Sequence, residues 1–359
     1  MEIRMLSDKE MEEAAKLSDR TFRDAEQTSM AVAFPYIFSG GVKHLSFGAF
    51  DQGKLASFFG LVPWTVCVGE ARLRAFSIGS VCTDPAYRGH GIASQVLEEI
   101  FAYLNRTEAS LLFVSGTRSL YTRVDCCRFG RVRKYTVDGQ AAAALSAEHA
   151  SADAVTVREA DVSDIFALHE LSHSQNVRFE SDVNGLAALI KAEAVAGIEK
   201  ARQKVFVAET AEGGVQAFAV VGAKDQRAVV YEWAGKAELV AGLAGKCHSL
   251  LGGTDTLVMR VGWHETAIHQ LMSGVGYEEE DNEGTVKIVN MDALLKQLKP
   301  WLSAENATVP VADIAKSLTP EQLVAFIFDR ASGGVELPEQ ARNNWKPVPL
   351  PFTGGVFFI

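Results

Sequence analysis

The sequence has little cysteine, with only five among 359 residues: Cys67, Cys82, Cys126, Cys127 and Cys247. No Cys-x-x-Cys pair occurs, and two adjacent cysteines have poor geometry for a simple disulfide or a zinc site. The histidines show no metal-ligand spacing either; His264 and His269 are five apart, whereas two ligands on one helix face are four apart. These absences exclude a disulfide-stapled fold and predict a protein without a metal in a reducing compartment.

The chain also lacks long apolar runs and an excess of positive charge. No run reaches membrane-spanning length, and the start, MEIRMLSDKEMEE, lacks the apolar core of a signal peptide. We therefore expect a cytoplasmic protein without a membrane partner. There are 35 Lys and Arg against 45 Asp and Glu, for a net charge of −10. This balance argues against a nucleic-acid partner, which needs a basic face, and mildly favours cationic partners.

Regular secondary-structure patterns are abundant, and 48% of the residues are hydrophobic. The pattern of residues 1–139 begins with a strand and a helix. Three strand-like runs follow, and then a strand–helix–strand unit. This order predicts a mixed sheet with one crossover helix, closed by RVRKYTVD. Residues 140–154 are rich in Ala and Ser and are predicted to be a surface linker.

The pattern of the first domain begins again after the linker. Residues 155–290 match it element for element without close sequence identity, which indicates an internal repeat. Residues 291–359 contain two amphipathic helices and a tail rich in aromatic residues. Burial of such side chains is worth about 1.5–3 kcal/mol each, so we expect the tail to dock. The fold class predicted is α/β (α+β), with two tandem mixed-sheet domains and a small helical C-terminal module.

One turn in the first domain carries almost no side chains. In DPAYRGHGIASQVLEEI, Gly89, Gly91 and Ala93 lie at the start of an amphipathic helix, directly after Arg88. A helix N-terminus offers unpaired backbone N–H groups and a partial positive charge, and small residues let an anion reach them. The turn therefore predicts a site for phosphate or pyrophosphate. Neither a Walker loop nor a Rossmann fingerprint is present.

The stretch SIGSVCTDPAYRGHGIASQVL resembles the central motif of the GNAT superfamily of acetyl-CoA-dependent N-acetyltransferases. In that motif, Arg/Gln-x-x-Gly-x-Gly/Ala follows a strand that ends in Val-x-x-x-Pro, and Arg88, Gly91 and Ala93 fill the three fixed places. The resemblance implies acetyl-CoA as co-substrate. It assigns the pantetheine arm to Val81, Cys82 and Thr83, and the pyrophosphate to Arg88 and the amides of Gly89, His90, Gly91, Ile92, Ala93 and Ser94.

The resemblance also implies a catalytic tyrosine. Many members place a Tyr in the short helix after the splayed strand, as the acid that protonates the leaving thiolate, and SLYTRV offers Tyr121 there. The sequence departs from the family five residues later, where Asp125-Cys126 replaces Gly-Phe. A cysteine at 126 or 127 that carries the acyl group stays open, although no His lies near it in the sequence.

The three-part chain is similar to the enhanced-intracellular-survival type of acetyltransferase, which has a sterol-carrier-like third domain. Residues 291–359 are too few for a full domain of that kind. In that group the C-terminal carboxylate acts as base for the attacking amine, which implies a role for Ile359; the alternative is that the tail merely fills a groove. Asp24 and Glu26 are weaker candidates for contact with a cationic substrate.

These features together predict an enzyme that transfers acetyl from acetyl-CoA to a primary amine, by direct attack in a ternary complex. The acceptor, a small molecule or a protein amine, stays open because one fold serves many substrates. A non-catalytic acyl-CoA sensor or scaffold is the alternative. A third reading, compatible with the first, makes the second domain and tail an interaction platform, seen as a homo-oligomer.

Overall fold

The structure is a computed structural model that describes residues 1–148, 155–210, 214–251, 254–302, 309–329, 335–342 and 345–359. The chain divides into two compact units that interleave along the sequence. Unit 1 contains Met1–Phe129, Glu283–Val348 and Ile359, and unit 2 contains Gly130–Asn282 and Pro349–Phe358.

The strands in chain order are β1 Glu2–Met5, β2 Phe47–Asp51, β3 Lys54–Val68, β4 Ala71–Thr83, β5 Leu111–Val114, β6 Arg131–Val137, β7 Thr156–Glu159, β8 Val177–Phe179, β9 Arg202–Thr210, β10 Gly214–Lys224, β11 Arg227–Gly235, β12 Thr256–Gly262, β13 Tyr277–Asp281 and β14 Thr285–Ile288.

The helices in chain order are α1 Met11–Phe22, α2 Met30–Ala33, α3 Pro35–Phe38, α4 Ile92–Leu104, α5 Ser119–Thr122, α6 Gly139–Glu148, α7 Ile165–Ser174, α8 Val183–Ala192, α9 Ala194–Glu199, α10 Ala237–Leu250, α11 Thr266–Leu271, α12 Met291–Leu298, α13 Val311–Ala315, α14 Pro320–Phe328 and α15 Glu339–Arg342.

The sheet of unit 1 has the strand order β1-β2-β3-β4-β5-β14. All neighbouring pairs are antiparallel except β4 and β5, which are parallel because α4 crosses over between them. The β2–β3 hairpin turns at Gln52 and Gly53, both with positive φ, as two-residue turns require. Apolar residues of α4, among them Val96, Leu97 and Ile100, pack in one buried cluster with residues of β2 to β5.

The sheet of unit 2 repeats this arrangement. Its order is β7-β9-β10-β11-β12-β6-β13, and β11 and β12 form its parallel pair, with α10 as the crossover helix. The predicted fold class, two tandem mixed-sheet domains with helices, is therefore confirmed, and so is the internal repeat.

The closing strands, however, are exchanged between the two halves of the chain. The sequence predicts β6 as the last strand of the first sheet, but β6 pairs with β12 and β13 in unit 2, and β14 pairs with β5 in unit 1. The facing side chains of β6 and β13 are complementary in charge: β6 reads RVRKYTV and β13 reads YEEED, and Lys134 bonds Glu278 and Glu280 at 3.0 and 2.9 Å. The prediction placed β6 beside strands that are close to it in the sequence, and this closeness does not show that a strand pairs with distant ones such as β12 and β13.

The predicted linker, residues 140–154, is partly a packed helix. Its first part belongs to α6, whose Ala142 and Leu145 are buried in the core of unit 2 beside α10. Gly245 makes this approach possible, because a Cβ there would lie 2.8 Å from the Ala142 carbonyl oxygen. Alanines that read as a flexible connector in sequence are thus a close helix contact. Residues 149–154 lie outside the described residues.

Residues 291–329 contribute three helices, α12, α13 and α14, to unit 1 within the described part of the chain. Thr319 opens α14 in a capping box with Gln322. The tail is buried at several points: Trp345 is 2% exposed and donates from Nε1 to the Ile327 carbonyl at 3.1 Å, and Phe357 is 7% exposed. Side chains of the tail therefore belong to the packed core.

Candidate active site

A bulge interrupts β4 at the residues predicted to bind the cofactor. Gly79 pairs with Gly60 and Cys82 pairs with Phe58, so Ser80 and Val81 together face the single residue Phe59. Ser80 has φ of +53°, and its buried hydroxyl has no hydrogen-bond partner among the described residues. The sequence prediction did not include Ser80. The glycine inside the strand run SIGSV was its available signal, because such a glycine often marks a bulge.

The parallel pair β4–β5 opens at the same place. Its register runs from Ala75↔Leu111 to Ile78↔Val114, where β5 ends. The last backbone bond on this side joins the Ser115 amide to the Ile78 carbonyl at 3.4 Å. Beyond it, the described residues provide no strand partner for this side of Val81, Cys82 and Thr83. The backbone of these three residues is thus available to an extended ligand that adds to the sheet, as a pantetheine arm does.

Side chains of neighbouring elements hold this open edge in place. The Ser57 hydroxyl donates to the Cys82 carbonyl at 3.0 Å and lies 2.8 Å from the Thr83 hydroxyl. The Cys82 thiol is buried against Ser18, and burial raises its pKa to about 11. The thiol is therefore neutral near pH 7, so Cys82 presents its backbone rather than a nucleophile.

The turn between β4 and α4 is ordered by its own side chains. The Asp84 amide bonds the Ala56 carbonyl at 2.9 Å, and its carboxylate caps the amide of Ala86 at 3.0 Å. Arg88 donates from Nε to the Thr83 carbonyl at 3.0 Å and is exposed. This single bond leaves the outer nitrogens of the guanidinium to face solvent or a ligand.

The glycines of the turn are needed for both conformation and space. Gly89 and Gly91 have φ of +83° and +73°, and a Cβ on either would point into open space. Gly91 is the N-cap of α4 and provides no side-chain cap. Within the described residues, the amides of 89–93 donate no backbone hydrogen bond. This is a concave set of free donors suited to an anion.

The other predicted residues of the turn lie around these amides. His90 is exposed, with Nδ1 at 3.3 Å from the Tyr87 carbonyl, and Ser94 is also exposed. Ile92 is buried in the core below α4, so only its backbone faces the turn. Ala93 is half-buried. The Ser94 amide donates to the Gly91 carbonyl at 3.1 Å, so of the predicted amides those of residues 89–93 remain without a backbone partner among the described residues, and their role in binding stays a prediction.

Tyr121 lies on α5 and is 6% exposed. It packs in the same apolar cluster as Ile78 and Val114, the residues at which the strands separate. Its ring would touch a Cβ on Gly116, at 3.3 Å. Burial raises the pKa of Tyr121 to about 12, opposed in part by Arg118. The phenol therefore keeps its proton near neutral pH and can give it to a stronger base.

The departure from the family motif at Asp125-Cys126 leaves two buried thiols. Burial raises the pKa of Cys126 and Cys127 to about 12 each. A nucleophilic cysteine needs a lowered pKa, so neither thiol is suited to carry an acyl group. Asp125 adopts φ of +62°, and its carboxylate pairs with Lys287 of β14 at 3.3 Å.

Ile359 lies against the bulged strand. A Cβ on Gly79 would lie 2.5 Å from the main-chain carbonyl carbon of Ile359 and 2.7 Å from its oxygen. Ile359 itself is 6% exposed. Gly79 is therefore the residue that lets the Ile359 main chain reach the open edge of β4.

Asp24 and Glu26 lie in the exposed segment between α1 and α2. The Asp24 carboxylate accepts a hydrogen bond from the Glu26 amide at 3.0 Å, which orders this short turn. Their contact with a substrate stays a prediction.

Unit 2 lacks the anion turn that unit 1 carries. In unit 1 residues 84–91 separate β4 from α4, whereas in unit 2 only Lys236 separates β11 from α10. Gly235 approaches Gln216 so closely that a Cβ would lie 2.4 Å from its carbonyl oxygen. The connection therefore contains no turn with free backbone amides like that of residues 84–91.

The comparisons with known proteins identify the class. Residues 2–128 match the family model for the acetyltransferase (GNAT) domain. No curated protein matches the chain. The chain therefore contains an acetyltransferase (GNAT) domain at residues 2–128.

Solved structures share the fold of most of this chain. A probable N-acyltransferase from Enterococcus faecalis V583 is 16% identical, with 82% of this chain and 74% of that chain covered and a TM-score of 0.64. A GCN5-related N-acetyltransferase from Kribbella flavida is 14% identical, with 81% and 73% covered and a TM-score of 0.59. Eis1 from Mycobacterium abscessus is 14% identical, with 82% and 75% covered and a TM-score of 0.58. The fold is of the Eis-like tandem GNAT type.

Other kinds of site are not found in the part of the chain that the structure describes. It contains no group of three or more His, Cys, Asp or Glu side chains that could hold a metal ion. None of its helices has the length and apolar character needed to cross a bilayer. All five cysteines are free and buried.

Proposed function

We propose that the protein transfers the acetyl group of acetyl-CoA to a primary amine at the open edge of β4. One observation carries this proposal: the strands β4 and β5 separate after Ile78 and Val114, directly beside a turn whose amides have no backbone partner. A thioester with a diphosphate at its far end matches such a site, because one part adds to the strand edge and the other accepts from the amides.

The reaction we propose is direct attack within a ternary complex. The neutral amine nitrogen adds to the thioester carbonyl carbon, and a strand amide near Val81 or Cys82 stabilises the negative oxygen of the tetrahedral intermediate. The C–S bond then breaks, which leaves an amide and the thiolate of CoA. The amine loses one proton in this sequence and the thiolate gains one.

Tyr121 is the proposed donor of the second proton. Its buried phenol is protonated at neutral pH, and it packs beside the residues where the strands separate. The phenol donates a hydrogen bond to the sulfur as its negative charge develops. A thiol has a pKa of about 8.5, below that of this phenol, so the proton stays on the sulfur only when Tyr121 is reprotonated by the proton that the amine releases. The first proton needs a base, and the proposed one is the Ile359 carboxylate, whose main chain lies at Gly79. That role stays a prediction.

The test of the proposal is calorimetric titration of acetyl-CoA into the full chain and two matched variants. Ser94→Glu places a negative side chain at an exposed position in the first turn of α4, where helices accept acidic residues, so we expect the fold to be maintained. We expect it to weaken binding by about 100-fold or more, since it replaces attraction for the diphosphate with repulsion. Ala102→Glu, on an exposed position of the same helix, is the control and should bind like the wild type.

Equal affinity of both variants would contradict the proposed cofactor site. Binding without turnover over a panel of amines would instead support the acyl-CoA sensor. The structural likeness leaves the acceptor open, so that panel should contain small amines and lysine-containing peptides.

A further inference from the structure

The parallel strands of unit 2 also separate, and a pocket lies where they do. The β11–β12 register ends at Val230↔Met259, and Tyr231 is the extra residue of a bulge opposite Val220 and Val221. Glu232 is thus the second residue past the last strand pair, the place that Ser80 has in unit 1. A cavity of about 70 Å³ lies here, lined by residues of β8, β11, β12 and the tail segment Pro349–Phe358.

Coenzyme A is not the ligand that fits this pocket. The connection from β11 to α10 consists of Lys236 alone and has no anion turn, as described above. About 70 Å³ gives room for roughly five to seven water-sized groups, which corresponds to a very small organic molecule.

One side of the pocket carries a carboxylate, that of Glu232, with few hydrogen-bond donors around it. Glu232 is half-buried, and Oε1 accepts a single hydrogen bond, from the Trp233 amide at 3.3 Å. Burial raises the pKa of Glu232 to about 7, opposed by that amide. A buried carboxylate in this state gains most from a ligand that brings a cation with hydrogen-bond donors.

Another lining residue, Arg178, is positively charged and has a buried donor without an acceptor among the described residues. Arg178 donates from Nη1 to the Gln175 carbonyl at 2.8 Å, but its buried Nε has no partner among the described residues. An N–H of a guanidinium is always a donor, so the missing partner is an acceptor such as a carboxylate oxygen. Two other lining side chains have charged neighbours: Arg260 bonds Glu280 at 3.3 Å, and His264 Nε2 lies 3.3 Å from Glu265, whereas the buried Nδ1 of His264 has no partner among the described residues.

Several aromatic side chains also line the pocket. Phe179 and Phe357 stack with ring centroids 5.4 Å apart, and Trp233 and Phe352 also line the pocket. Such rings exclude water and favour a cation placed near their faces. They make the charge contacts stronger than they would be in water.

We propose that this pocket binds a small zwitterion of the α-amino acid class, with its ammonium group on Glu232 and its carboxylate on Arg178. The two groups of opposite need line one cavity, and the volume suits a molecule the size of alanine.

The test uses the full chain labelled with 5-fluorotryptophan, with the Trp233 resonance assigned from a Trp233→Phe variant. The probes are L-alanine, L-alaninamide, which lacks the carboxylate, and N-acetyl-L-alanine, which lacks the ammonium. We expect L-alanine to shift the Trp233 resonance saturably, and both analogues to bind at least about tenfold more weakly. Glu232→Gln and Arg178→Gln should weaken L-alanine binding similarly, while Glu238→Gln, exposed on α10, should not.

Each other outcome overturns the proposal. Equal binding of L-alaninamide would make the pocket a simple cation site, and no shift with any probe would make it a packing gap. Unchanged resonances of the other four tryptophans show that the variants are folded.

Discussion

At the scale of single residues, burial decides which side chains can take part in chemistry. Tyr121, Cys82, Cys126 and Cys127 all have raised pKa values because protein surrounds them. A raised pKa keeps a thiol neutral and so disables it as a nucleophile. The same rise keeps the Tyr121 phenol protonated and able to donate a hydrogen bond, while making it a weaker acid.

Replacing Tyr121 by Phe removes the proton donor and keeps the ring. We expect kcat to fall by about 10²–10³-fold, the usual contribution of a general acid, with acetyl-CoA affinity unchanged within about twofold. Steady-state kinetics with thiol detection, together with calorimetry, measure both. Tyr103→Phe, on α4 with its ring against Phe47 and Phe76, is the control and should keep full turnover. Full activity of Tyr121→Phe would remove its catalytic role.

Because of Glu232, we expect the free energy of unfolding to fall as the pH rises. Its folded pKa of about 7 lies above the ordinary 4.5, so the native state binds the proton more tightly than the unfolded state. Its contribution to stability is complete below pH 4.5 and is lost as the pH rises through 7. Arg178, Arg260, His264 and Glu265 also line the pocket, so the variant that isolates this carboxylate is Glu232→Gln.

We expect Glu232→Gln to be more stable than the wild type at pH 8, by on the order of 1–3 kcal/mol, and equal to it near pH 4.5. Urea unfolding at several pH values measures the difference. Glu238→Gln, on the exposed face of α10, should show none at any pH. A constant difference for Glu232→Gln across the range would mean that its carboxylate does not titrate near 7.

At the scale of elements, the first turn of α4 could be predicted from the sequence, whereas the position of strand β6 in its sheet could not. The turn was predictable from sequence, because Gly89 and Gly91 need positive φ and their function is local. The placement of β6 was not, because its partners β12 and β13 follow it by more than a hundred residues. Local patterns predict that a strand exists and leave its neighbours undetermined.

The stability of β6 should come from burial rather than from its ion pairs. Lys134 pairs with partly exposed carboxylates, so Lys134→Met should cost at most about 1 kcal/mol, and less at high salt. Tyr135 is 1% exposed, and Tyr135→Ala should cost about 3–5 kcal/mol. Urea unfolding at low and high salt compares them. A larger loss for Lys134→Met would mean that charge pairing holds the strand.

At the scale of the whole molecule, the exchanged strands make the two halves of the chain interdependent. Unit 1 takes its last strand, β14, from residues that follow almost all of unit 2. Without β14, the edge of β5 exposes four backbone positions and an apolar strand, LLFV, which is prone to aggregate.

We therefore predict that a fragment of residues 1–139 is not a stable, monomeric acetyl-CoA binder, although it contains all of residues 2–128, which match the family model. The control joins 1–129 to 283–348 by a flexible linker, which restores β14 to its sheet. Circular dichroism, size-exclusion chromatography and calorimetry compare the two. Cooperative unfolding and cofactor binding by fragment 1–139 would show that β14 is dispensable.

The sequence by itself determined the repeat, the mixed sheets, the bare turn from Arg88 to Ala93 and the tyrosine on the short helix after β5. These depend on periodicity, on glycine conformation and on a motif within some forty residues, all of which are local properties. Only the tertiary structure decided the exchange of β6 and β14, the packing of the alanine-rich linker as α6, the bulge at Ser80 and the pocket at Glu232. Each depends on contacts between residues far apart in the chain, and the energy of such contacts comes from shape, burial and charge that a linear pattern does not record.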